Sequence, residues 1–130
     1  MLNTAFSPWP SFTQEEADAV ARVVISNKLN YWTGQECREF EKEFAVFAGT
    51  AYAVALANGT VALDVALKAL NIGAGDEVIV TSRTFLASAS SIVTAGATPV
   101  FADVDSNSQN ITAATISEKL TSKTKARSEE

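Results

Sequence analysis

The sequence predicts an α/β fold, a mainly parallel sheet covered by helices. Three observations predict it. From residue 51 onward, short apolar runs alternate with segments of helical period. The run "VIV" at 78–80 is apolar throughout, as a strand buried on both faces requires. Hydrophobic residues make up 47% of the 130-residue chain, enough for a packed core.

The elements follow in order. "SPWPSF" at 7–12 is a proline-aromatic entry segment. "TQEE" then reads as a capping box, Thr13 at the N-cap with Glu16 three residues on, and predicts a helix to about Lys28. Thr33 and Glu36 suggest a second box. The helix after it sets Cys37, Phe40, Phe44 and Phe47 on one stripe and ends at Gly49. Its charged face, "REFEKE", is expected to be solvated. These residues, 1–50, form a helical segment, and 51–130 form the α/β part.

"AYAVALA", 51–57, alternates Tyr52, Val54 and Leu56 with alanines and is expected to be a strand. A helix from about Gly59 to Leu70 turns Leu63, Ala66, Leu67 and Leu70 to one side, with Asp64 and Lys68 paired on the other. "NIGAGDE" is a turn. "VIV" is the second strand, and a helix from about Thr84 to Ala95 follows it. "TPVFADV" is the third strand. "ITAATISEKL" closes the series as a helix with Thr112 at its N-cap. The alternation implies right-handed crossovers.

Composition narrows the function classes. The net charge of −5 argues against nucleic acid or an anionic membrane as the main partner. No apolar run approaches the ~20 residues of a membrane span. The first ten residues lack a basic stretch leading into an apolar one, so no secretion signal is expected. Cys37 is the single cysteine and histidine is absent. An internal disulfide is therefore impossible, and no metal site is expected. Cys37 has no base to activate it, and a buried position is expected for it. The simplest location is the cytoplasm.

The most specific stretch is "LANGTVALDVALKAL", 56–70. Asn58, Gly59 and Thr60 stand where a strand hands over to a helix. Such a junction points free helix N–H groups, and the positive end of the helix dipole, at the carboxyl edge of the sheet. Gly59 admits a phosphate close to the backbone, and the Thr60 hydroxyl adds a donor. The alternative is a plain helix cap at Asn58 or Thr60. The dinucleotide fingerprint G-x-G-x-x-G and the nucleotide loop ending G-K-[ST] are both absent. In "SRTFLASASS", 82–91, Phe85 opens the next helix at the same edge. It is either a core residue or a flat plate for a planar heterocycle. A phosphate cradle beside an aromatic plate matches the needs of pyridoxal 5′-phosphate (PLP).

The strings "ANGTVALDVALKAL", "GAGDEVIVTSRTFLASASSIVTAGATPVFADVD" and "LTSKTKA" resemble the N-terminal part of the DegT/StrS sugar-nucleotide aminotransferases, which are fold-type I PLP enzymes. "TGQECREFEKEFAVFAGT" fits too, with Gln35 where many members have proline. The resemblance runs from about Tyr31 to Ala126. It implies that Gly59 and Thr60 hold the PLP phosphate, with Asn58 beside them, and that Phe85 stacks on the pyridine ring. Asp103 and Asp105 are taken as structural. "NYWTG", 30–34, is expected toward the substrate side.

The resemblance also implies an activity. An amino group passes from an amino acid, glutamate in the usual case, to a nucleotide-linked keto-sugar, within surface-polysaccharide or related sugar biosynthesis. A homodimer is implied for the full-length form. The family's cofactor-binding lysine and its aspartate partner to the ring nitrogen lie later in the chain. None of Lys28, Lys42, Lys68, Lys119, Lys123 and Lys125 stands in a matching context, so no catalytic residue is assigned here. "KTKA" leads into an apolar strand in the family, whereas here polar "RSEE" follows. On this reading the chain is an N-terminal, truncated large-domain piece, inactive alone, whose first strand lacks its sheet neighbours. A PLP-dependent sugar dehydratase of the same family and a non-catalytic or decayed α/β fragment are the alternatives.

Overall fold

The computed structural model describes residues 9–128. The start of the proline-aromatic entry segment, the N-terminal leader reading and the last two residues of "RSEE" lie outside the described residues. The chain divides into two compact units, 1–55 and 56–130.

In the first unit, α1 spans Gln14–Ile25 behind a complete capping box. The Thr13 N–H and hydroxyl donate to Glu16 Oε2 at 2.7 and 2.8 Å, and the Glu16 N–H donates back to Thr13 Oγ1 at 3.3 Å. α1 ends three residues before Lys28, because Asn27 takes a left-handed conformation at φ 58°. The second expected box does not form. Thr33 is held in a turn in which Asn30 Oδ1 accepts from the Trp32 N–H, the Thr33 N–H and the Thr33 hydroxyl, at 3.0, 3.0 and 3.1 Å. A short polar side chain competes well for nearby backbone donors, and here it wins over the helix start. Gly34 closes the turn. A Cβ there would lie 2.4 Å from the Lys28 carbonyl oxygen.

α2, Glu36–Ala48, therefore begins behind Gln35 without a side-chain cap. Its stripe exists as expected: the Phe40 and Phe44 rings lie 5.5 Å apart, and Phe44 and Phe47 6.1 Å. The stripe is not core, however. Phe40, Phe44, Phe47 and Cys37 are all exposed, and Ala45 is the buried residue of the helix. Glu41 ties the unit together. Its Oε2 accepts from the Tyr31 hydroxyl at 3.1 Å, and its Oε1 from the Ala55 N–H at 2.8 Å. The Arg38 guanidinium lies over the Tyr31 ring, 5.1 Å from its centroid.

Residues 51–57 do not form the expected strand. Alternation supplies the pattern of a strand, but a ladder also needs a partner, and β1–β3 (below) pair only with one another. Tyr52 and Val54 stay exposed.

The second unit holds α3 (Gly59–Ala69), β1 (Glu77–Thr81), α4 (Leu86–Thr94), β2 (Thr98–Ala102), α5 (Ala113–Ser117) and β3 (Thr124–Arg127). The sheet is parallel, in the order β2-β1-β3. Val78 faces Pro99 and Ala126 across its two ladders, and Ile79 faces Val100 and Arg127. β3 was not expected: the sequence reading treats "KTKA" only as a lead-in. The charged Lys125 and Arg127 mask it, and its half-buried alternation suits an edge position. The Ser128 N–H extends the ladder to the Ile79 carbonyl at 2.8 Å. The expected helix after Thr112 forms as α5, five residues long, behind a Thr112–Thr115 capping box.

The core consists of Ile72, Val78, Val80, Ile92 and Ala97, with Leu67, Ala89 and Ala126 against it. Ile79, on the opposite side of β1, is fully buried. Among the described residues no helix is long and apolar enough to cross a membrane.

Three outcomes follow from these contacts. Hydrogen bonds from the Thr13 backbone and then its side chain hold the Glu16 carboxyl below its ordinary pKa. The folded value is the lower one, so the cap's stability is complete above the ordinary glutamate range and is lost as pH falls through the folded value. Protection of the first-turn amides of α1, taken relative to each amide's intrinsic exchange rate, should therefore fall as the Glu16 carboxyl takes up its proton, and Glu16→Gln should flatten that dependence. An unchanged profile in the variant contradicts the reading. In the core, Ser91 is buried and its hydroxyl has no partner among the described residues. Ser91→Ala should leave the melting temperature unchanged or raised. Ile92→Ala, which empties space beside Val78 and Val80, should cost about 2–5 kcal/mol.

Candidate functional site

The topology brings two helix starts to one edge of the sheet. A short turn, in which the Asp76 carboxylate accepts from the Gly73 N–H at 3.0 Å, joins α3 to the start of β1. α3 therefore runs back along the sheet, and its first turn lies at the carboxyl end of β1. α4 leaves that same end after four residues. Leu63, Ala66 and Leu67 of α3, its C-cap Leu70, and Ser88, Ser91 and Ile92 of α4 line one small cleft, so the two helices lie side by side. Ligands of open α/β sheets bind at such an edge.

At the start of α3, Asn58 is the N-cap, and its Oδ1 accepts from the Val61 N–H at 3.0 Å. The Ala62 N–H donates to the Asn58 carbonyl at 3.1 Å. The N–H groups of Gly59 and Thr60 have no acceptor among the described residues. They are the free donors that every helix start leaves.

Neither packing nor backbone conformation demands glycine at 59. Its φ is outside the left-handed region, and an added Cβ would meet nothing within 4 Å. Glycine inside a helix costs up to about 1 kcal/mol relative to alanine. The space beside Gly59 is therefore open, and a side chain there would fill it.

The electrostatics suit an anion. α1 and α2 carry glutamates in their first turns, whereas α3 and α4 carry no acid there. Phe85 is the N-cap residue of α4, extended at φ −69° and ψ 141°, and 70% exposed. Its ring is not core. The structure thus brings Asn58, Gly59, Thr60 and Phe85 to one sheet edge. Asn58 is engaged as a cap, and Gly59 and Thr60 keep free donors.

One group at this edge, Arg83, escapes the sequence reading. Arg83, directly after β1, donates to the Gln109 side-chain carbonyl and braces the 105–110 turn. The signal available in the sequence was the cation between strand and helix. Asp105 accepts from the Ser108 and Asn107 N–H groups at 2.7 and 3.1 Å, and the Ser108 bonds hold its carboxyl below the usual range. That accords with a structural role for Asp105.

Comparison with known proteins identifies the larger group. The sequence profile of the DegT/DnrJ/EryC1/StrS aminotransferase family matches residues 10–126. The dTDP-3-amino-3,6-dideoxy-alpha-D-galactopyranose transaminase of Aneurinibacillus thermoaerophilus is 44% identical over 115 residues, covering 88% of this chain and 31% of that protein. An aminotransferase from Psychrobacter cryohalolentis, solved by X-ray methods, superimposes with a TM-score of 0.90 at 67% identity, over 95% of this chain and 31% of that one. A sugar aminotransferase of Streptococcus pneumoniae, solved in its PLP form, superimposes with a TM-score of 0.80 at 34% identity, over 96% and 31%. The chain thus spans about a third of the length of the relatives it matches. These structures are fold-type I PLP aminotransferases, and the three-stranded parallel sheet with its helices is the N-terminal portion of that fold. The chain belongs to the DegT/DnrJ/EryC1/StrS aminotransferase family.

Proposed function

We propose that this chain supplies the phosphate cradle and the ring-stacking face of a PLP-dependent sugar-nucleotide aminotransferase. The observation that carries the reading is Gly59: a helix-opening glycine that neither its backbone nor its neighbours require, set over two unpartnered N–H donors. The Gly59 and Thr60 N–H groups and the Thr60 hydroxyl would hold the phosphate. Asn58 would fix the helix start that aims them. Phe85 would lie against the pyridine ring. When bound, PLP supplies the electron sink that lets an amino group move between an amino acid and a ketone.

The transaminase name of the Aneurinibacillus relative supports a nucleotide-linked sugar as the acceptor; glutamate is the donor we assign to it. A cytoplasmic location and a homodimer go with this reading. So does the division of the chain into a helical segment, 1–50, and a PLP-binding α/β part, 51–130. The chain's own residues bind and orient, but none is placed to move the proton. No lysine of the 130 stands in the context that the family uses to hold the cofactor covalently. We therefore assign amino transfer to a site that needs residues beyond these 130, and expect no turnover from them alone.

Paired substitutions test the cradle and the plate. Gly59→Val should weaken PLP binding by filling the approach to the donors, while leaving the melting temperature of the cofactor-free chain nearly unchanged. Phe85→Leu should also lower PLP affinity with little change in melting, because the ring is exposed. Equal PLP titration curves for parent and both variants would contradict the assignment. A fall in melting temperature with unchanged affinity would return Phe85 to a packing role.

A further inference from the structure

The sequence places glycine after one asparagine only, Asn58; every other asparagine is followed by a residue with a side chain. Both residues of the pair are exposed, and the space around Gly59 is open to 4 Å from an added Cβ. The Gly59 nitrogen is in the first position of α3 and serves no ladder. The Asn58 side chain is tethered over that same turn by the Val61 N–H, which donates to Oδ1 at 3.0 Å. Gly59 carries no side chain to hinder the approach of its nitrogen to Cγ. A donor on Oδ1, at the positive end of a helix, stabilises the negative charge that develops there when the amide carbon is attacked.

We propose that Asn58–Gly59 is a self-modification site, at which Asn58 loses its amide nitrogen and becomes an acid. The Gly59 main-chain nitrogen attacks Cγ of Asn58, and the N–Cγ bond forms. The Cγ–Nδ2 bond breaks, and ammonia leaves with the proton from Gly59. Water then opens the five-membered imide at either carbonyl, giving aspartate or isoaspartate. No oxidant or reductant takes part.

The consequence rests on the phosphate-cradle reading above. Aspartate caps a helix as well as asparagine does, so α3 survives that product. The new carboxylate nevertheless lies beside the donors that would hold the phosphate, and like charges there weaken phosphate binding. Isoaspartate adds a methylene to the main chain and displaces the cap. Phosphate on the Gly59 N–H would in turn block the attack, so an occupied cradle protects itself and an empty one ages.

The test incubates the chain at mildly alkaline pH, with and without inorganic phosphate, and maps peptides for aspartate and isoaspartate. Asn107, exposed and followed by serine, is the internal reference. Conversion at 58 should outpace conversion at 107, hydroxylamine should cleave the chain between 58 and 59, and Gly59→Ala should suppress both signals. An intact amide at Asn58, whether or not Asn107 converts, overturns the proposal. Phosphate should slow conversion at 58 and leave 107 unchanged. Conversion at 58 at equal rates with and without phosphate would overturn the cradle reading while the modification stands.

Discussion

Burial of β1 is the constraint on which the second unit depends. It is the one described strand with a partner on each side. Val78 and Val80 point to the layer of Ile92 and Ala97, and Ile79 is sealed on the opposite side. Three consecutive apolar residues are tolerable only in a strand covered on both faces. Once β1 is so placed, β2 and β3 take its flanks in parallel, and each crossover must return along the sheet. α3 enters toward β1 and α4 leaves from it, so both helices start at the carboxyl edge. The candidate site is a consequence of that geometry before any side chain is chosen.

Side chains then distinguish this edge from an ordinary one. The helix starts of the first unit carry glutamates, and that of α1 is closed by a reciprocal cap. At α3, Asn58 uses its one side-chain acceptor on Val61 and leaves Gly59 and Thr60 free. An alanine at 59 would raise helix propensity and clash with nothing, so the glycine runs against the local interest of the helix. Sequences that break a local rule in this way mark places where a ligand or a close approach is accommodated. Phe85 is a similar case, a large ring left mostly in solvent at the head of α4.

Much of this was legible in the sequence because it is local. The Thr13–Glu16 box, the Asn58–Gly59–Thr60 junction, "VIV" and "TPVFA" each carry their structure within a few residues, and so did the resemblance to the family. Three of the misreadings share one cause, the partner. Residues 51–57 alternate like a strand but pair with no described strand. The charged "TKAR" carries no strand pattern of its own yet pairs with the buried β1. The Phe40–Phe44–Phe47 stripe has the period of a core-facing helix, but the described residues leave it bare. At Thr33 a local competitor decided the outcome, since Asn30 takes the hydroxyl and the backbone donor that a cap would have used.

The central claim is that the free donors at the start of α3 hold a phosphate and that Phe85 faces the ring attached to it. At 13.8 kDa the chain suits residue-resolved magnetic resonance. The most direct measurement follows the backbone amides during titration with PLP and, separately, with inorganic phosphate. The account predicts that phosphate alone shifts the amides of Gly59 and Thr60, and that PLP shifts those and the Phe85 ring as well. Shifts confined to other parts of the chain, or none at Gly59 and Thr60 at saturating phosphate, would contradict it.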